Sequence, residues 1–175
     1  MQSAEGFPPV ARADTRILIL GSLPGQRSIA AQQYYAHPRN AFWSIMQELF
    51  EIHGAYEDRL LQLLDNKIAL WDVLGSCVRP GSLDSSIDLD SARVNDFAAF
   101  LDAHRDIRLI AFNGKKAAQM FRRFVASDVV GREVELASLP STSPAYAAMP
   151  FSGKLVAWRD ALQAGEHAMR NGSRR

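Results

Sequence analysis

Cysteine is nearly absent. Cys77 stands alone among 175 residues, so neither an internal disulfide nor a cysteine-rich metal site can form. That scarcity favours a reducing compartment. Four scattered histidines add no compact zinc spacing. Long hydrophobic runs are missing as well. No stretch approaches the roughly eighteen apolar residues that a membrane helix needs. The opening MQSAEGFPPV has no basic segment followed by an apolar one. The expectation is a cytoplasmic protein with no membrane association. Charge of one sign is also in short supply. The formal net charge is +1, which by itself argues neither for nor against a polyanionic partner. No heptad or internal repeat points to assembly, so a monomer without an obligate protein partner is expected. The segment Gly21-Ser22-Leu23-Pro24-Gly25 lacks the third glycine of a dinucleotide fingerprint. Ser22, His37 and Asp72 invite comparison with a hydrolase triad, yet no G-x-S-x-G elbow is present.

What is present fits one domain. Hydrophobic residues make up 47% of the chain, enough for a sizeable core at this length. A single domain over residues 1–175 is expected, with its ordered core at about 10–165. The charges are unevenly spread. Residues 44–106 hold twelve acids against five bases, whereas 107–132 hold Arg108, Lys115, Lys116, Arg122, Arg123 and Arg132 against Asp128 alone. That second run reads either as a local positive face or as an ordinary solvated helix surface.

Strand and helix signals alternate. Residues 16–20 are β-branched and apolar, as in a strand covered on both faces. Further strands are expected at 68–74, 108–112 and 134–139. Residues 1–15, with Pro8 and Pro9, read as an irregular lead-in, and 26–39 as a structured loop. Asn40 is a credible cap for a helix carrying Phe42, Met46, Leu49 and Phe50 on one face. Helices are also expected at about 55–65, from Ser91 or Asn95 to about 104, at 115–126, and from a Ser152 cap onward with Leu155, Val156, Trp158 and Leu162 inward. Gly75 to Asp90 read as a long loop, and the tail from Gly165 as fraying. This alternation implies an α/β fold, a three-layer α/β/α sandwich around a mainly parallel four-stranded sheet. In such sheets ligands bind beyond the carboxyl ends of the strands. The polar stretches 21–25, 71–79, 113–116 and 139–146 all fall on that edge.

Five motifs lie in this order: GSLPG at 21–25, YYAHPRNAFW at 34–43, ALWDVLGSCVR at 69–79, FNGKKA at 112–117 and LPSTSPA at 139–145. Together they resemble the uracil-DNA glycosylase superfamily, and more closely its hypoxanthine-DNA (deoxyinosine) glycosylase branch. The resemblance spans roughly 16–160. It implies a monofunctional enzyme that hydrolyses the bond between a deaminated base and deoxyribose in double-stranded DNA. Such an enzyme leaves an abasic site for base excision repair and needs no metal or organic cofactor. If the chain is bacterial, it would work at the nucleoid. Two positions depart from the common superfamily pattern. Leu23 stands where many members carry Asp or Asn, and Leu139 where many carry histidine. The hypoxanthine branch resembles this chain in both, and it directs attention to Asn40 as the catalytic residue.

The residues themselves permit that chemistry. A base in a stacked duplex must be flipped out before its glycosidic bond is accessible. The carboxamide of Asn40 could then position water beneath C1′, although it cannot act as a strong base. Its competing role is a pure helix cap. By resemblance Tyr35 stacks on the flipped base and Trp71 and Asp72 lie where its edge is read, with Asp72 accepting from N1–H of hypoxanthine or N3–H of uracil. The backbone amides of Ser22 and Leu23 could bind a base carbonyl, and Asn113 could read the base or support Asn40. His37, Lys115, Lys116 and the loop Ser141-Thr142-Ser143-Pro144-Ala145 are the expected DNA contacts, each with an ordinary turn or surface role as its alternative. A DNA-binding module without catalysis remains the competing functional class.

Overall fold

The computed structural model describes residues 3–172, with side chains to 166. Four strands form a parallel sheet: β2 (Ile17–Gly21), β3 (Ile68–Asp72), β6 (Leu109–Asn113) and β7 (Glu135–Leu139), in the order β3-β2-β6-β7. β2, β3 and β6 are buried along their whole lengths, which explains why they read as continuous apolar runs. β7 is an edge strand and leaves Leu136 exposed.

The two-residue strand period divides the core between the two faces of the sheet. Leu18 and Leu20 pack with Phe97, Phe112 and Phe121 on one face, under α4 (Phe97–Ala103) and α5 (Lys115–Phe124). Ile17 and Ile19 pack with Phe42, Ile45 and Trp158 on the other, under α2 (Phe42–Phe50), α3 (Tyr56–Asp65) and α6 (Phe151–Gly172). The three-layer α/β/α reading therefore holds. Register places Gly21 opposite Asp72 and Asn113 opposite Leu139, so the polar strand ends meet at one edge.

Several boundaries differ from expectation. The lead-in contains β1 (Ser3–Glu5), and the long loop is largely β4 (Leu74–Val78) and β5 (Asp88–Val94). These three form a separate antiparallel sheet ordered β1-β4-β5. β5 is half-exposed and rich in Asp and Ser, so its composition reads as a loop. The segment 26–39 begins with a short helix, α1 (Gln26–Ala31). Asp96, not Ser91 or Asn95, caps α4, its carboxylate accepting from Ala99 N at 3.0 Å. Asn95 instead donates to the Asp72 carbonyl at 2.8 Å. α6 begins ahead of Ser152, with Lys154 N donating to Pro150 O at 3.1 Å, and Val156 faces solvent. Gly165 does not end that helix. A β-carbon there would lie 2.8 Å from Leu109 Cδ2, so glycine allows α6 to cross the start of β6. Arg174 and Arg175 lie outside the described residues.

Candidate active site

A cavity of about 520 Å³ opens at the carboxyl ends of β2, β3 and β6. Its walls come from residues 21–28, from Tyr34, Tyr35, His37 and Asn40, from Asp72, from 82–85, and from Asn113 with 141–146. The first wall depends on Gly21: any β-carbon there would stand 2.5 Å from Asp72 Oδ1. The chain after β2 is then pinned from below. Arg79 is buried and donates to the carbonyls of Leu23, at 3.3 Å, and Pro24. The hydroxyl of Ser22 donates to Asp84, and Gln26 N donates to Ser82 Oγ at 2.9 Å. The 79–87 loop is thereby welded to the glycine turn.

The second wall is aromatic. Tyr34 is buried, its hydroxyl donating to Pro8 O at 3.0 Å. Tyr35 has φ of 56°, an uncommon conformation for a bulky residue and one that concentrates at functional sites. Its ring stacks on Phe42 at 4.1 Å between centroids. Its hydroxyl makes no hydrogen bond of good geometry among the described residues. Burial and the charge of Asp72 push its pKa up, while the nearby Asn113 carboxamide pulls the other way. Next comes a tight turn in which Asn40 N donates to His37 O at 2.9 Å and Arg39 N to His37 Nδ1 at 3.1 Å. Asn40 Oδ1 accepts from Phe42 N at 3.0 Å. The N-cap of α2 is Ala41, not Asn40; Asn40 precedes it, accepts from the first helical amide and also lines the cavity. A carbonyl oxygen has a second lone pair, so the bond from Phe42 N does not exhaust that oxygen.

Thr142 ties the remaining walls together. It is 1% exposed. Its hydroxyl accepts from Asn113 Nδ2 and its amide donates to Asn113 Oδ1, both at 2.9 Å. Its carbonyl accepts from Ala41 N at 2.9 Å. One residue thus sets the position of the 141–146 loop, the end of β6 and the start of α2.

Asp72 dominates the electrostatics. It is 4% exposed, and its Oδ2 has no hydrogen-bond partner among the described residues. Burial, then repulsion from Asp84, push its carboxyl up to about 7, with Arg79 opposing. Asp84 is also held above the ordinary carboxylate range, mainly by burial, against the Ser22 hydrogen bond, Arg79 and Lys116.

The cavity gathers Ser22, Leu23, Tyr35, His37, Asn40, Asp72, Asn113 and 141–145 from the sequence-derived set. It does not gather Trp71. That ring lies between Phe97 and Phe100, at 5.0 and 4.8 Å, and donates to Phe7 O at 3.2 Å. Strand alternation turns Trp71 into the α4 layer while Asp72 meets the cavity. Lys115 is exposed and lines no part of the cavity, whereas Lys116 is half-buried and its charge reaches Asp84. Thr142 is nearly fully buried, and its hydroxyl oxygen, amide and carbonyl are engaged internally, which points to a positioning role. The carboxamide of Asn113 is likewise engaged at both ends. The hydroxyls of Ser141 and Ser143 accept from Ser143 N and Ala145 N, each at 3.2 Å, and shape the loop from within. The basic run 107–132 does not form one face. Arg108 and Arg132 line a separate cavity of about 320 Å³, and Arg132 pairs with Asp102 at 2.7 Å.

Three residues escaped the sequence reading. Asp84 was hidden in a loop of Gly, Ser and Asp that gave only a general sign of function. Leu83, 55% exposed, stands beside it at the cavity wall. Lys154 is 5% exposed, 3.4 Å from Ser143 O and 5.3 Å from the Tyr146 ring centroid, and burial lowers its pKa. Nothing in the helical pattern of α6 distinguishes it. No helix among the described residues is long and apolar enough to cross a membrane.

Comparison with known proteins agrees with this geometry. The family model of the Uracil DNA glycosylase superfamily matches residues 8–163. A hypoxanthine DNA glycosylase of Methanosarcina barkeri (strain Fusaro) is 42% identical over 120 residues, covering 66% of this chain and 73% of that protein. A hypoxanthine DNA glycosylase of Methanosarcina acetivorans is 44% identical over 119 residues, covering 65% and 73%. The solution NMR structure of a candidate uracil DNA glycosylase from Methanosarcina acetivorans superposes with a TM-score of 0.74 at 36% identity, covering 91% of this chain and 99% of that one.

Proposed function

From its membership of the uracil DNA glycosylase superfamily, we propose that this chain, acting as one monomeric domain, is a monofunctional DNA glycosylase that removes hypoxanthine from deoxyinosine in duplex DNA. Similarity to two hypoxanthine DNA glycosylases supports this substrate. The same reading places the chain in the cytoplasm, at the nucleoid if it is bacterial.

The observation that carries the reading is the buried carboxyl of Asp72, whose Oδ2 has no partner among the described residues, in a cavity that Asn40 and Tyr35 also line. Hypoxanthine presents a lactam edge, with N1–H as donor and O6 as acceptor. A neutral carboxylic acid offers the complementary acceptor and donor. Its raised pKa keeps much of Asp72 in that form near neutrality. The neutral acid can also pair with adenine by carrying its proton on the other oxygen, so discrimination against adenine falls to the ionised form, which accepts from N1–H of hypoxanthine but meets a lone pair at adenine N1. Tyr35, backed by Phe42, supplies a stacking face for a flat ring.

Asn40 positions the attacking water with the lone pair that Phe42 N–H leaves free. The amides of Ser22 and Leu23 meet the base carbonyl. Thr142 and Asn113 act as positioning residues that hold Asn40 in register with the cavity. His37, Ser141, Ser143, Pro144 and Ala145 meet the DNA backbone around the flipped nucleotide, and Lys116 adds positive charge beside Asp84.

The test is a single-turnover assay on matched duplexes containing deoxyinosine, deoxyuridine or normal bases. Alkali-labile abasic product from the deoxyinosine strand supports the reading. Tight binding without product would instead identify a DNA-binding module.

A further inference from the structure

Hydrolysis at C1′ consumes a water, and the proton which that water sheds needs an acceptor. Asn40 can orient the water but its amide takes up no proton near neutrality. Among the described residues only two acids, Asp72 and Asp84, line the cavity. They occupy different levels of it. Asp72 is nearly inaccessible and packs against the backbone at Gly21, where the base edge would sit. Asp84 is half-buried and flanked by exposed Ser82, Leu83 and Ser85, nearer the mouth, where the sugar of a flipped nucleotide remains.

Asp84 is also held in place. Its Oδ1 accepts the Ser22 hydroxyl, which leaves Oδ2 for a water. The same loop is anchored by Ser82 to Gln26 and by Arg79 to the carbonyls of Leu23 and Pro24. A carboxylate so fixed, in the cavity that Asn40 also lines, is a built acceptor.

We propose that Asp84 is the general base of the reaction, taking the proton of the water that attacks C1′ while Asn40 orients that water. This rests on the glycosylase reading above. As the water oxygen bonds to C1′, the C1′–N9 bond breaks and its electron pair departs with the base. The water proton passes to Asp84 Oδ2. Asp84 then returns that proton to solvent, and the departing base anion takes one up. One water is consumed, giving free hypoxanthine and a hydroxyl at C1′.

The charged and titratable groups around Asp84 are Asp72 on β3, Arg79 after β4, Lys116 on α5, Tyr35 before α2 and Cys77 on β4. Burial lifts the Asp84 pKa, and the Ser22 hydrogen bond is the largest influence pulling it down. The excision rate should therefore rise with pH through an acid limb set by Asp84, and Ser22 should tune that limb.

The experiment measures single-turnover excision from a deoxyinosine duplex between pH 4.5 and 9, using the full chain, Asp84→Asn and Ser22→Ala. Asp84→Asn preserves shape and still accepts from Ser22. It should slow excision by about 100-fold, abolish the acid limb and leave duplex affinity within about threefold. Ser22→Ala should move the acid limb to higher pH, because it removes the bond that favours the ionised form. That shift decides the matter even if Asp84→Asn folds poorly. Asp84→Asn excision within about threefold of wild type, or an unmoved acid limb in Ser22→Ala, overturns the role of Asp84. Wild-type protein that excises no hypoxanthine overturns the glycosylase reading itself.

Discussion

Replacing Asp72 with asparagine should make the protein more stable, and the gain should depend on pH in a defined way. The carboxyl is 4% exposed and one oxygen has no partner among the described residues, so its ionised form is costly. Its folded pKa stands at about 7 against an ordinary 3.8. Below about pH 4 it is protonated in both folded and unfolded chains and contributes no difference. Between pH 4 and 7 the unfolded chain releases the proton while the folded chain keeps it, so stability falls as pH rises. Above pH 7 the full deficit is present. At roughly 1.4 kcal/mol per tenfold change in proton affinity, it amounts to about 4 kcal/mol. Asp72→Asn removes this dependence. Urea unfolding at pH 4, 5, 6, 7 and 8 should show the variant gaining steadily on wild type up to pH 7 and then levelling off. The carboxamide also keeps one donor and one acceptor for the lactam edge, so deoxyinosine excision should persist and lose any decline that wild type shows above pH 7. A stability difference that does not change with pH would refute the assignment of a buried, proton-retaining acid.

Gly21→Ala places a methyl 2.5 Å from Oδ1 of the buried Asp72 and 3.7 Å from the Tyr35 hydroxyl; destabilisation of about 1–3 kcal/mol is expected in urea unfolding, together with weaker excision. Thr142→Val keeps the shape but strips the acceptor from Asn113 Nδ2. Leaving that buried donor unpaired should cost about 1–3 kcal/mol, and the loosened link to Ala41 should lower the single-turnover rate more than duplex affinity. Thr142→Ser, which restores the hydroxyl, should recover most of both.

The parallel sheet was legible because its strands are continuous apolar segments with glycine or asparagine at their ends. Gly21 and Asn113 each mark the point where a buried strand meets polar chain. Helix α5 announced itself through Ala117, Met120 and Phe121, all buried at helical spacing. The second sheet was not legible. Leu74 and Cys77 are its buried members in β4, too few among Gly, Ser and Asp to mark a strand, and its pairing with β1 is non-local. Asp84 was missed for the same reason, since its partner Ser22 lies 62 residues away. Trp71 misled because adjacent strand residues face opposite sides: reading the edge at Asp72 carried its neighbour along. Thr142 and Asn113 were both singled out, but only the folded chain shows that they bond to each other.

The most direct test compares wild type with Asn40→Ala in single-turnover excision and equilibrium binding on the same deoxyinosine duplex. Wild type should convert the strand to alkali-labile abasic product. Asn40→Ala should do so at least about 100-fold more slowly while holding the duplex within a few fold of wild-type affinity. Equal losses of rate and binding, or an Asn40→Ala rate matching wild type, would contradict a carboxamide that positions water at the sugar.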